Sequence, residues 1–152
     1  GTIILLMSVI IWVLQNFTPT FAVAEDAGAS ILGVIGTAIA PIFAPLGFGA
    51  WQESVALLTG LAAKEAVVST ISVLYGAGGG AELSSLLGSV FTPLAGYSFL
   101  VFTLLYMPCM SAFATIKREM GGWRWAFGAA AFQTVLAYLA AFVIYQVGSL
   151  IL

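Results

Sequence analysis

Long apolar runs separated by short polar punctuation give the chain its outline. Thr2 to Phe17 is apolar apart from Ser8, Gln15 and Asn16. Its length of about 16 residues falls short of the roughly 20 that a crossing helix needs. It therefore predicts the tail of a membrane helix that begins in preceding sequence. Residues 18–29, with Pro19, Glu25, Asp26 and Gly28, read as a polar acidic loop. Ser30 to Leu46 is apolar but interrupted by Gly33, Gly36, Pro41 and Pro45, which predicts a broken membrane helix or a re-entrant or interfacial segment. Residues 47–51 then form a turn near an interface. Glu53 to Tyr75 predicts one continuous crossing helix of about 35 Å, with Lys64 and Glu65 near its middle. Residues 76–80 are a glycine-rich break, and residues 82–90 a short surface helix. Thr92-Pro93 has the form of a capped helix start, and that helix runs to Ile116 with Pro108 inside it. Lys117, Arg118, Glu119 and Arg124 make a short basic loop with Gly121 and Gly122. Trp125 to Leu152 is the last span, with Gln133 and Thr134 as buried polar groups. Its Gly128, Ala137 and Ala141 are small contacts for a neighbouring helix. The Trp and Tyr side chains read as interface anchors.

Composition turns this outline into a class. The chain is 62% hydrophobic and 7% charged, against roughly 25% charged in a soluble domain. Such a sequence is an integral membrane protein of the all-α class: a polytopic transmembrane helical bundle with broken or re-entrant helices. A net charge of −2 without a basic tract excludes nucleic acid as a natural partner. One cysteine excludes an internal disulfide, and the lack of histidine removes the commonest metal ligand and proton shuttle. The amino end has neither a charged leader nor a cleavage site, so it does not read as a signal peptide. The whole chain, 1–152, reads as a single membrane domain from a larger protein. Three of the four basic residues lie in the 117–124 loop, which places that loop in the cytoplasm. By parity, an outer acidic 18–29 loop requires residues 30–46 to cross, whereas a re-entrant 30–46 puts the acidic loop inside.

The chemistry concentrates at two places. Pro108 has no N–H, and its ring pushes against the carbonyl of Leu104. In hydrocarbon a freed carbonyl must find a partner, and transporters use such unwound carbonyls to coordinate cations. Met107, Cys109 and Met110 surround the proline with soft donors that suit late first-row metals. Either methionine also reads as packing, and Cys109 also reads as a small buried hydrophobe. The second place is Lys64 and Glu65. A charge at the midplane costs several kcal/mol or more, so each needs a partner. Glu65 suits a cation, and Lys64 suits a carboxylate or a backbone carbonyl. Ser69, Thr70, Ser111 and Thr115 are weaker supporting candidates, since such hydroxyls commonly bond to carbonyls of their own helix.

The string Leu57-Leu58-Thr59-Gly60-Leu61-Ala62-Ala63-Lys64-Glu65-Ala66-Val67-Val68-Ser69-Thr70, then Val73-Leu74-Tyr75-Gly76, resembles the membrane half of the ferrous iron transport protein B family. So do residues 40–48 and Phe91-Thr92-Pro93-Leu94. The strongest likeness is Leu104-Leu105-Tyr106-Met107-Pro108-Cys109 with Lys117-Arg118-Glu119-Met120-Gly121 and Trp123-Arg124-Trp125-Ala126. The resemblance runs in one order over nearly the whole chain. It implies a bacterial inner-membrane importer of Fe²⁺, with an amino-terminal GTP-binding domain and two related gate motifs, of which this chain carries the second. It also implies that Cys109 matches a cysteine on the ion path. The expected partners are then the lipid bilayer, Fe²⁺ as transported ion, the GTP-binding domain and small Feo accessory proteins, with room for an oligomer. No resident cofactor is expected in these residues. The chain departs from the family by extent: it holds no G-x-x-x-x-G-K-[ST] loop and no first gate motif. A permease for another solute, such as a nucleoside, is the main alternative, with Lys64, Glu65 and Gln133 binding the solute. An intramembrane enzyme would need Cys109 as nucleophile without a histidine base.

Overall fold

A computed structural model describes residues 2–152 apart from Ala63, Glu65, Ala77 and Gly79. The described residues form eight α-helices joined by loops and short 3-10 turns, without a strand. In order these are α1 (Thr2–Asn16), α2 (Ile31–Phe43), α3 (Trp51–Gly60), α4 (Ala66–Leu74), α5 (Gly80–Val90), α6 (Pro93–Leu105), α7 (Met110–Glu119) and α8 (Trp123–Ile151).

Local chemistry sets several of the boundaries. Ser30 caps α2, its Oγ accepting the N–H of Gly33 at 3.0 Å. Thr92 caps α6 by accepting the N–H of Ala95 at 3.2 Å, with Pro93 in the first turn, as the sequence predicts. At the start of α3 the Oε2 of Glu53 reaches back to the N–H of Ala50 at 2.6 Å. The Glu53 carboxylate is buried and also accepts from the Tyr75 hydroxyl at 3.3 Å.

The stretch Pro93–Glu119, formed by α6 and α7, and the helix α8 are each long and apolar enough to cross a membrane. The segment Ile31–Leu46 and helix α3 pass the same test only as a pair, bent by 101°. Residues 31–43 are one α-helix with Pro41 inside it, followed by a 3-10 turn at Ala44–Leu46, so the bend falls after the segment predicted to be broken and not within it. Leu100 and Leu104 on α6 and Phe132, Leu139 and Val143 on α8 are exposed; large apolar side chains on these faces suit lipid tails. The architecture is an all-α membrane bundle.

Helix α8 holds the bundle together through small residues. Ala126, Ala130, Ala137 and Ala141 are buried and let α6 and α7 pack closely against it. The fully buried Ser98 donates from Oγ to the carbonyl of Ala141 at 3.0 Å. Ser98→Ala should lower stability by about 0.6–1.7 kcal/mol, the range for such bonds between membrane helices; thermal melts of the detergent-solubilised full-length protein would read the loss. Further along, the Tyr138 hydroxyl donates to Ile42 O at 2.9 Å and Gln146 Nε2 to Pro45 O at 3.3 Å. Helix α8 thereby satisfies carbonyls at the end of α2 and in the 3-10 turn Ala44–Leu46 that follows it. The turn after it inserts Leu46 and Phe48 into the core, where Phe48 meets Phe99 edge-on at 5.1 Å and Phe102 stacks on Tyr106 at 5.5 Å.

Three sequence expectations are corrected. Residues 53–75 are two helices, α3 and α4, with a break after Gly60. Gln133 and Thr134 are half-buried, and Thr134 bonds to Ala130 O of its own helix. Tyr106 is a core residue, only 5% exposed, while Trp12, Trp123 and Trp125 are exposed as interface anchors should be. Within the glycine-rich stretch, Ala77 and Gly79 lie outside the described residues.

Candidate functional site

Two helix breaks meet at one point. The first follows Gly60, where α3 ends; the second, at residues 106–109, separates α6 from α7. The proline accounts for the second. Pro108 offers no N–H to Leu104 O, and the chain leaves the helix at Tyr106, whose own N–H closes the last turn on Phe102 O at 2.8 Å. Helix α7 then restarts one residue past Cys109, which sits at its cap position.

The first break has no proline, so its cause is tertiary. The Tyr106 hydroxyl donates to Leu57 O at 3.1 Å, and the N–H of Met110 donates to Leu61 O at 2.7 Å. Both acceptors lie at the carboxyl end of α3. There the ladder tightens to bonds three residues apart, Leu61 N to Leu58 O and Ala62 N to Thr59 O. The close approach needs Gly60. A Cβ there would strike the Tyr106 hydroxyl and lie 2.5 Å from Val67 Cγ2.

Lys64 closes the arrangement. Its Nζ donates to Leu104 O at 3.2 Å and to Tyr106 O at 3.4 Å, and lies 5.1 Å from the centre of the Tyr106 ring. The residue is half-buried, and it meets the very carbonyl that Pro108 sets free. Cys109, next to Pro108 in sequence, is half-buried, with Sγ 3.2 Å from Ser111 Oγ. Ser111 is thus drawn to the thiol by its side chain, while Thr115, which is exposed, bonds back to Ser111 O at 3.1 Å.

The remaining candidates fall elsewhere. Met107 packs against both the main core and the smaller cluster around Phe113, Ala126 and Ala130. Met110 is half-buried and contributes its backbone N–H to the crossing. Ser69 and Thr70 line a separate cavity of about 470 Å³ between α1, α3 and α4, with Gln15, Asn16 and Ser30 on its wall. Glu65 lies outside the described residues. Among the described residues no three His, Cys, Asp or Glu side chains gather as a metal cluster. Sequence reasoning missed Tyr106 as the link between the breaks, and Gly60 was the one local sign of the first break. It also missed the buried Glu53, legible only as a carboxylate in the first turn of a helix.

A family model described as "Gate: Nucleoside recognition" matches residues 1–123. The chain belongs to the Gate family. Within that setting it is 38% identical, over 99% of its length, to the Fe(2+) transporter FeoB of Methanocaldococcus jannaschii. It is 39% identical over 99% of its length to the Fe(2+) transporter FeoB of Staphylococcus aureus strain COL. A protein of Porphyromonas gingivalis named as a fusion of Fe(2+) transport protein A with Fe(2+) transporter FeoB is 36% identical over 83% of the chain. The resemblance to ferrous iron transport protein B is borne out over essentially the whole chain. This Gate-family chain spans 23% and 22% of the length of the first two relatives. No solved structure matches it.

Proposed function

We propose that this chain is the membrane domain of a ferrous iron importer and forms part of the path that Fe²⁺ takes across a bacterial inner membrane. The observation that carries the reading is the crossing of two broken helices with Cys109 at the restart of one of them. Broken helices place backbone oxygens and a thiol inside a membrane without the closed thiolate cage that would trap the ion. The kinship with proteins named Fe(2+) transporters favours iron over a nucleoside as cargo.

On this reading Cys109 is the soft ligand, Glu65 the carboxylate and Met110 an auxiliary donor, with Met107 as packing that sets the break. Ser111 holds the thiol in place, and Ser69 and Thr70 belong to a polar vestibule. A GTP-binding domain elsewhere in the same protein gates the flow, and the fusion of proteins A and B in Porphyromonas gingivalis supports small Feo proteins as partners. The role is transport, with no catalysis in these residues.

The test is Fe²⁺ uptake by cells lacking other iron importers, with the full-length protein at matched membrane abundance. Cys109→Ser should lower uptake several-fold, while Ser111→Ala keeps most of it. Unchanged uptake in Cys109→Ser would remove the thiol from the path. No uptake by the wild type would return the nucleoside class of solute to first place.

A further inference from the structure

The two carbonyls that Lys64 engages are among those at the end of α6 whose helical donors have been taken away. In an unbroken helix Leu104 O would accept from residue 108, which is proline and has no N–H. Tyr106 O would accept from Met110, but that N–H is turned to Leu61 O at 2.7 Å. What remains is a pair of oxygens without a backbone donor. A cation is the natural occupant of such a place, and it holds one: the ammonium of Lys64, at 3.2 and 3.4 Å from the oxygens and 5.1 Å from the ring centre.

We propose that Leu104 O and Tyr106 O form a cation-binding site in which the Lys64 ammonium is the resting occupant, displaced when a transported cation reaches the Cys109 end of the break. A lysine suits this role because it is a compact charge on a flexible four-carbon stem. Lys64 also lies outside both α3 and α4, so its stem leaves from a turn and not from a helix. An ammonium and a divalent ion cannot share these oxygens, since they compete for the same lone pairs and repel. Occupancy by Lys64 therefore closes the site, and departure of Lys64 opens it. The displacement step rests on the iron-path reading, whereas the existence of the site does not.

The alternative is that Lys64 is only a structural cap, and cation dependence separates the two. The purified full-length protein would be melted in choline chloride and in millimolar MnCl₂ at matched ionic strength, Mn²⁺ serving as a divalent probe that resists oxidation. Lys64→Met should melt several degrees below wild type in choline and regain most of that loss in Mn²⁺, while wild type does not respond. Cys109→Ser combined with Lys64→Met should keep the response, because the ligands are carbonyls. A Lys64→Met protein that stays destabilised whatever the cation, or a wild type that responds equally, overturns the proposal. Should Lys64→Met fail to reach the membrane, Lys64→Arg decides. Its guanidinium holds carbonyls through several fixed donors and leaves less readily, so Fe²⁺ uptake should fall several-fold at unchanged abundance. Wild-type uptake in Lys64→Arg would overturn the proposal. A Mn²⁺ response in Lys64→Met together with full uptake in Cys109→Ser would leave the cation site standing and remove the thiol from the path.

Discussion

Tyr106→Ala is expected to leave almost no folded protein in the membrane. The side chain is 5% exposed and stacks on Phe102, and its hydroxyl reaches Leu57 O on α3. Truncating a buried aromatic costs about 3–5 kcal/mol through lost contacts and the cavity left behind. That is a large part of the roughly 5–15 kcal/mol that holds a typical domain folded. Here it also leaves Leu57 O without its bond and removes the ring beneath the Lys64 ammonium. Tyr106→Phe separates these contributions. It keeps the ring, the stack and the cation–π contact, and loses only the hydroxyl, for about 0.6–1.7 kcal/mol. Detergent melts of the full-length protein, with membrane abundance by immunoblot, would measure both. If Tyr106→Phe proved as damaging as Tyr106→Ala, the hydrogen bond to Leu57 would outweigh the packing, contrary to expectation.

Gly60→Val should be nearly as severe, for a different reason. The residue stands where α3 stops, with the Tyr106 hydroxyl and the Val67 side chain against the bare Cα. A β-branched side chain must push the two breaks apart. Overpacking of this kind typically costs about 1–3 kcal/mol, and here it would also break the bond from Tyr106 to Leu57 O. Gly60→Ala is the milder arm and should fall between wild type and Gly60→Val in melting temperature. The second expected consequence is local: Cys109 should react faster with a maleimide in either variant, because the crossing that half-buries it has loosened. Wild-type stability and wild-type labelling in Gly60→Val would mean that the breaks do not depend on this close approach.

Both variants test a contact that no stretch of sequence displays. Pro108 announces its own break, because the missing N–H and the clash with Leu104 are properties of one residue type. The cap at Thr92-Pro93 is local in the same sense. The break after Gly60 is not. Residues 53–75 have the length and polarity of one crossing helix. They stop early because Tyr106 and Met110, about 50 residues later, pull on the carbonyls of Leu57 and Leu61. Tyr106 itself looked like an interface anchor because an aromatic with a polar tip serves equally at a bilayer surface and in a core.

The candidate site divides the same way. That Lys64 needs a carboxylate or a carbonyl follows from the cost of a lone charge in hydrocarbon. Which carbonyls it takes depends on where α6 and α7 lie relative to α3. Ser111 and Cys109 are two apart and would point away from each other on a regular helix; the cap position of Cys109 brings Sγ and Oγ to 3.2 Å. By itself the sequence determined the membrane class, the capped start at Thr92-Pro93 and the proline break, since hydropathy, caps and proline act over one or two turns, and its ordered motifs carried the kinship with iron transporters. Only the tertiary structure decided that a second break exists, that it meets the first, and that the lysine of one fills the carbonyls of the other. Those outcomes depend on which backbone groups lose their helical partners, and that is settled where helices touch.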